Sequence, residues 1–243
     1  MRKLAFIISI FTLAVINYSC EKDNYKAPDA TITGKILDHN GKLLQTEQGS
    51  GNMRIKMEEL SWNGGAEGTV VTPQYLNVRQ DGTYINTKWF PGKYRMTPIE
   101  GAFYPYNTEG ELVDISKSVT KDFTVIPYLD VEWITEPHMT SDGYIEASVK
   151  FARNSKEGVA KPDLNNLLFC IATTQYVGNN NYDSQLISGT MKITNDMEGT
   201  VINVKTSKPV KYAGATYYVR VGICCSDAYK KYNYTDIKIV KNP

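Results

Sequence analysis

Residues 80–96 read QDGTYINTKWFPGKYRM. Asp81-Gly82 and Pro91-Gly92 are turn signals of different kinds. Glycine supplies a positive φ, while proline fixes its own φ near −65°. Between and beyond them Tyr84, Trp89, Tyr94 and Met96 supply apolar bulk at strand-like spacing. The stretch therefore reads as two strands meeting a core, each entered through a tight turn. Immediately before it, Leu76 and Val78 alternate with polar residues. Further upstream Met53, Ile55 and Met57 face one way while Arg54, Lys56 and Glu58 face the other. Ile32 and Ile36 repeat the pattern at the start of the region, and residues 119–125 close it. Period-two alternation of this kind predicts half-buried strands. Residues 104–117 have no such alternation and read as irregular.

A turn leading into an aromatic strand start, then a Pro-Gly turn into Tyr94-x-Met96, resembles the transthyretin-like (prealbumin-like) or carboxypeptidase-regulatory β-sandwich. In that fold the two turns close two adjacent strands over the core. The resemblance covers residues 30–126, and it speaks to fold rather than activity.

Pro127 marks the boundary to a second region, residues 127–243. Leu129, Val131 and Trp133 form one inward face there. Ile145, Ala147, Val149 and Phe151 form the next, and Leu167, Phe169 and Ile171 a third. Residues 153–166 read as a polar loop. Residues 189–195, 200–206, 216–223 and 233–241 complete about seven strands. Short alternating strands with regular turn signals predict an antiparallel sandwich. Tyr217-x-Val219-x-Val221 resembles the penultimate strand of an immunoglobulin/fibronectin III-like domain. The expected fold class is all-β, with two sandwich domains.

Residues 1–24 read MRKLAFIISIFTLAVINYSCEKDN. Arg2 and Lys3 precede an uncharged apolar run, residues 4–16. That run is shorter than the ~20 residues needed to span a bilayer, so it reads as a secretory signal. A cysteine after a small residue at the end of such a run resembles a bacterial lipobox, although Asn17 and Tyr18 depart from its usual residues. The resemblance implies cleavage after residue 19, acylation of Cys20, and a tether over residues 20–29. Glu21, Lys22 and Asp23 resemble the surface-export signal of Bacteroidetes lipoproteins. The resulting expectation is an outer-membrane protein facing the cell exterior, held to the membrane through the lipid alone.

Composition narrows the function classes. A net charge of +1 on 243 residues offers no electrostatic case for nucleic acid. Two histidines, His39 and His138, are all the chain has, and His39 sits in an Asn-Gly turn. No His-Glu-x-x-His, Cys-x-x-Cys, phosphate loop or Gly-x-Ser-x-Gly elbow occurs. No metal or cofactor is called for, and the chain is read as non-catalytic. A glycosidase needs only two carboxylates, and Glu58, Glu59, Glu100 and Glu146 are candidates on the wet sides of strands. Sugars stack their C–H faces on aromatic rings, so loop aromatics are the candidate binding residues. Tyr229, Tyr232 and Tyr234 crowd one loop, beside Asp227 and Asn233. Tyr176 and Tyr182 flank residues 178–181, and Trp62 lies beside Asn63. A fibronectin-like layout puts the first two groups at opposite ends of the sandwich, with the first near residues 153–166. Cys170 and Cys224 fall on the faces opposite the apolar sets. If their strands are neighbours they could pair on the outer face. Free thiols are the alternative favoured by an odd count once Cys20 is acylated.

Thr33, Gly34, Ile36 and Asp38, then Thr46-Glu47-Gln48-Gly49, Pro73-Gln74-Tyr75 and a C-terminal sandwich together resemble the Bacteroidetes lipoproteins grouped as domain of unknown function 3823. That resemblance implies glycan capture, with polysaccharide or oligosaccharide as ligand. It also implies a TonB-dependent outer-membrane importer and its glycan-binding lipoprotein as partners. A structural accessory that docks on the importer without touching sugar is the alternative, and a glycoside hydrolase a further one.

Overall fold

The computed structural model describes residues 27–49, 51–61 and 70–242. The signal, Cys20 and Trp62 lie outside the described residues. Among those described, no helix is long and apolar enough to cross a membrane.

The first half builds eight strands: β1 (Ala30–Leu37), β2 (Arg54–Glu59), β3 (Gln74–Asn77), β4 (Thr83–Trp89), β5 (Gly92–Ile99), β6 (Glu111–Ile115), β7 (Ser118–Thr120) and β8 (Phe123–Thr124). They form two sheets. One has the order β4-β1-β7, with β8 also on β1, and the other β3-β2-β5-β6. β1 pairs parallel with both β7 and β8. β4 and β5, joined through Phe90-Pro91, belong to opposite sheets rather than pairing with each other. The turn carries the chain across the core, where the Trp89 and Tyr94 rings lie 6.0 Å apart. Gly82 holds φ +77°, and a Cβ there would come within 2.6 Å of the Leu44 carbonyl oxygen. Only glycine fits that turn. Ile32, Ile36, Met53, Ile55, Met57, Leu76, Val78, Tyr84 and Met96 are all buried in this core, as their alternation predicts. β6 corrects the irregular reading of residues 104–117. It is a short edge strand whose Leu112 faces solvent, so its alternation is weak.

The second half adds β9 (Leu129–Met139), β10 (Ile145–Arg153), β11 (Leu164–Ala172), β12 (Met191–Lys192), β13 (Ile202–Lys205), β14 (Thr216–Cys225), β15 (Tyr232–Tyr234) and β16 (Lys238–Lys241). One sheet runs β13-β10-β9. The other runs β12-β11-β14-β15, with β16 also on β14. Antiparallel sheets face each other across a core of Ile145, Val149, Phe151, Leu167, Ile171, Tyr217, Val219 and Val221. The strand expected over residues 233–241 is interrupted. Thr235 turns its hydroxyl to accept the Val221 N–H at 3.0 Å, which splits the strand into β15 and β16.

β11 and β14 are neighbours, with Cys170 opposite Arg220 and Cys224 opposite Asn166. The pairing of Cys170 with Cys224 therefore does not form, in line with the favoured reading of free thiols. All three described cysteines are free and buried. The face expected to be outer is covered, because the N-terminal sandwich packs against β14 and β15.

Candidate functional site at the domain junction

The covering is polar and specific. Arg220, 1% exposed, donates from Nη1 to the Thr46 carbonyl oxygen at 2.7 Å. Its guanidinium carbon lies 3.6 Å above the Tyr234 ring. Burial pulls the Arg220 pKa down, and Nε is buried with no partner. Tyr234 donates its hydroxyl to Glu47 Oε2 at 3.3 Å and accepts the Asn179 N–H at 3.1 Å. Glu47 Oε1 accepts the Asn180 N–H. Gly178 passes between the two charges. A Cβ there would lie 2.5 Å from Arg220 Nη2 and 2.9 Å from Glu47 Oε1. Asn233 bridges the same seam, accepting the Leu129 N–H at 3.1 Å and donating to the Ala102 carbonyl oxygen at 2.8 Å.

This knot changes the status of the predicted aromatic trio. Tyr232 is 8% exposed and Tyr234 5%, so neither offers a ring to a sugar. Tyr232 instead donates to Asn166 Oδ1 at 2.7 Å. Alternation along a three-residue strand does not protect one face when both faces are covered. Tyr229 is 52% exposed, so its ring is open to solvent. Its loop lies beside residues 153–166 as expected, with the Ser226 N–H donating to the Asp163 carbonyl oxygen at 2.7 Å. The second predicted group is not at the opposite end. Asn179 reaches Tyr234, which brings residues 178–181 to the same seam. Tyr176, on that loop, is 51% exposed.

The loop carrying Tyr229 is shaped from within. Asp227 Oδ2 accepts the Tyr229 N–H at 2.9 Å, the local turn that aspartate favours. Lys230 holds φ +50°, a strained setting for a residue with a side chain. Lys231 Nζ then donates to Asn52 Oδ1 at 3.3 Å and to the Gly51 carbonyl oxygen, tying the loop to the N-terminal sandwich. Tyr128 is buried among the neighbouring residues. Burial raises the Tyr128 pKa above its ordinary value, with Asp227, Tyr104 and Tyr229 among the neighbours adding to the shift. Tyr104 meets Tyr128 edge-on at 4.9 Å and donates to the Asn154 carbonyl oxygen at 2.8 Å. Sequence reasoning missed Tyr104 and Tyr128. Their signal was tyrosine next to proline on either side of the domain boundary, Tyr104-Pro105 and Pro127-Tyr128.

The ionisable candidates are scattered. Glu58 pairs with Lys56 at 3.1 Å, and Glu100 with Arg54 at 2.6 Å. Glu59 accepts from the Ser61 hydroxyl at 2.7 Å. His39 lies 3.7 Å from Asp130 across the junction. His138 lies 3.4 Å from Glu146 in an open groove of about 340 Å³ on the β13-β10-β9 sheet. Among the described residues no group of three His, Cys, Asp or Glu side chains could hold a metal ion.

Residues 30–126 match the family profile described as the N-terminal domain of a protein of unknown function, DUF3823. No curated protein matches the chain by sequence. Solved structures resemble it along most of its length. A DUF3823 family protein from Bacteroides uniformis is 24% identical, with a TM-score of 0.70 over 89% of this chain and 100% of that one. A second B. uniformis protein, a candidate carbohydrate-binding protein, is 22% identical, with a TM-score of 0.67 over 88% and 99%. A DUF3823 family protein from Parabacteroides merdae is 16% identical, with a TM-score of 0.67 over 89% and 100%. At these identities the likeness establishes the fold.

Proposed function

We propose, from the match of residues 30–126 to the DUF3823 N-terminal domain profile and from the site's geometry, that the chain is a non-catalytic, glycan-binding lipoprotein. Cys20 carries the lipid, and the two sandwiches face outward from the outer membrane. They hold polysaccharide or oligosaccharide beside a TonB-dependent importer and its glycan-binding lipoprotein. One observation carries this reading. The Tyr229 ring stands half exposed on a loop fixed by Asp227 and by Lys231. A sugar stacks best on a ring carried by a loop that is already held in place, because little chain entropy is lost on binding. The fold shared with a candidate carbohydrate-binding protein from B. uniformis supports the same reading. Multiple lipid chains on Cys20 would make the attachment durable where one would be marginal.

The test is affinity electrophoresis of the mature protein through gels containing plant, host or fungal polysaccharides. Tyr229→Ala should weaken binding about 5- to 10-fold, from the ~1 kcal/mol of a good aromatic contact, with an unchanged melting temperature. Tyr229→Phe should bind like the parent. Retardation in no gel, or an unchanged affinity in Tyr229→Ala, would remove Tyr229 as the ligand contact. The triple alanine replacement of Tyr229, Tyr232 and Tyr234 is unsuitable, because Tyr232 and Tyr234 are buried and Tyr234 bonds Glu47 across the junction.

A further inference from the structure

The outer face of β2 and β3 carries a second braced ring. Directly opposed residues of an antiparallel pair share a face. Lys56 stands opposite Tyr75, and Arg54 opposite Asn77. Tyr75 is 44% exposed, and the Arg54 guanidinium carbon lies 4.0 Å from its ring centroid. Arg54 is itself held as a fork, with Nε at 2.7 Å from Glu100 Oε2 and Nη2 at 2.6 Å from Oε1. A two-bond fork fixes direction as well as distance. Glu100 holds this pose at φ +61°. A glycine would sit there without strain, whereas a residue with a Cβ gives up ~1 kcal/mol or more. Backbone strain kept in place for a side chain is a pointer to function when it is observed first. Here it serves to aim Arg54 beneath Tyr75.

Charge narrows the ligand. Arg54 is balanced by Glu100, and Lys56 by Glu58 at 3.1 Å. Both cations beside the ring are therefore already partnered, and Arg95, the next cation on this face, stands opposite Glu58 rather than beside the ring. What remains is a fixed phenol ring with an exposed asparagine, Asn77, on the neighbouring row and Leu112 at 74% exposure on the same sheet. That suits the C–H face and hydroxyls of an uncharged pyranose. We infer that the β2–β3 face centred on Tyr75 is a second sugar-stacking site, taking a neutral pyranose of a glycan chain. The inference rests on the glycan-binding reading but not on Tyr229.

The experiment uses the full mature chain with starch, xylan, mannan and mixed-linkage β-glucan as neutral probes, and pectin and alginate as acidic ones. Affinity electrophoresis is run on Tyr75→Ala, Tyr75→Phe, Arg54→Met and Tyr229→Ala. The tyrosine ring signals of the parent are followed by NMR as polysaccharide is added, with Tyr75 assigned from Tyr75→Phe. The expected result is at least a fivefold loss for Tyr75→Ala on a neutral probe with unchanged melting. Tyr75→Phe should stay within twofold, Arg54→Met should fall between, and the Tyr75 ring signals should shift. Parental affinity in Tyr75→Ala, unmoved Tyr75 signals while a probe is bound, or binding confined to the acidic probes would overturn the inference. If Tyr229→Ala loses binding while Tyr75→Ala does not, the second site falls and the glycan-binding reading stands. If the parent binds none of the probes, both fall.

Discussion

Replacing Arg220 by methionine tests whether the junction knot holds the two sandwiches together. The guanidinium makes a charge-assisted bond to the Thr46 carbonyl oxygen, worth ~2 kcal/mol. Its contact with the Tyr234 ring is desolvated, which places it near 2 kcal/mol as well. Against this stands Nε, buried without a partner, whose removal returns ~2 kcal/mol. Glu47, 8% exposed, then loses its nearby cation. The loss of a partner for a buried charge adds at least ~1 kcal/mol. The net expectation is a destabilisation of about 3 kcal/mol. For a chain of this length that is a fall of roughly 6–12 °C in Tm. Calorimetry should also show one transition in the parent separating into two in Arg220→Met, because the seam no longer couples the cores. Arg220→Lys keeps the charge without the fork and should lose about half as much. A double cycle with Glu47→Gln should give a coupling of ~1 kcal/mol or more. An Arg220→Met protein within 1 kcal/mol of the parent, or more stable, would refute the reasoning. Buried ion pairs are sometimes replaced by apolar residues at a gain, so that result is a real alternative.

Four other outcomes follow from the same geometry. Gly178→Ala places a methyl 2.5 Å from Arg220 Nη2, and denaturant unfolding should show ~1–3 kcal/mol lost to overpacking. Burial would raise the Glu111 pKa, but Lys121 and Tyr106 outweigh it and hold the carboxyl below its ordinary 4.5. A depressed carboxyl contributes stability above pH 4.5 that disappears as pH falls through the folded value, so Glu111→Gln should flatten the acid limb of a Tm-against-pH plot. Burial pushes the Cys224 thiol up to about 11 and Cys225 to about 12. At pH 8 neither these nor the fully buried Cys170 should react with a thiol reagent until denaturant is added, when all three should. Glu100→Gly should leave Tm nearly unchanged, since ~1 kcal/mol of relieved strain offsets a partly exposed ion pair worth ~0–1 kcal/mol, while binding at Tyr75 weakens.

Strand positions facing only one core were legible from alternation alone. Met53, Ile55 and Met57, or Ile145, Val149 and Phe151, read inward and are inward. β11 and β14 were misread because alternation assumes a wet face. Leu167–Ala172 is LLFCIA, and residues 219–225 are VRVGICC. Both are near-continuous apolar runs, which is the pattern of a strand covered on both sides. Arg220 sits within the second run, almost fully buried and bonded across the junction. Two of the three proposed sugar-binding tyrosines on that loop were lost for the same reason. Tyr75 was overlooked because nothing local marks it. Its brace comes from Arg54, 21 positions earlier, and Glu100, 25 positions later, joined only by sheet register.

The shared seam constrains how this chain can vary over time. Modules joined by a bare linker can be cut apart and recombined with other neighbours. Here a break at Pro127 would strip Thr46 and Glu47 from Arg220 and Tyr234, exposing a charged group and the Cys170 thiol beside it. The two halves should therefore be inherited and degraded as a single unit, with neither tolerating a substitute companion.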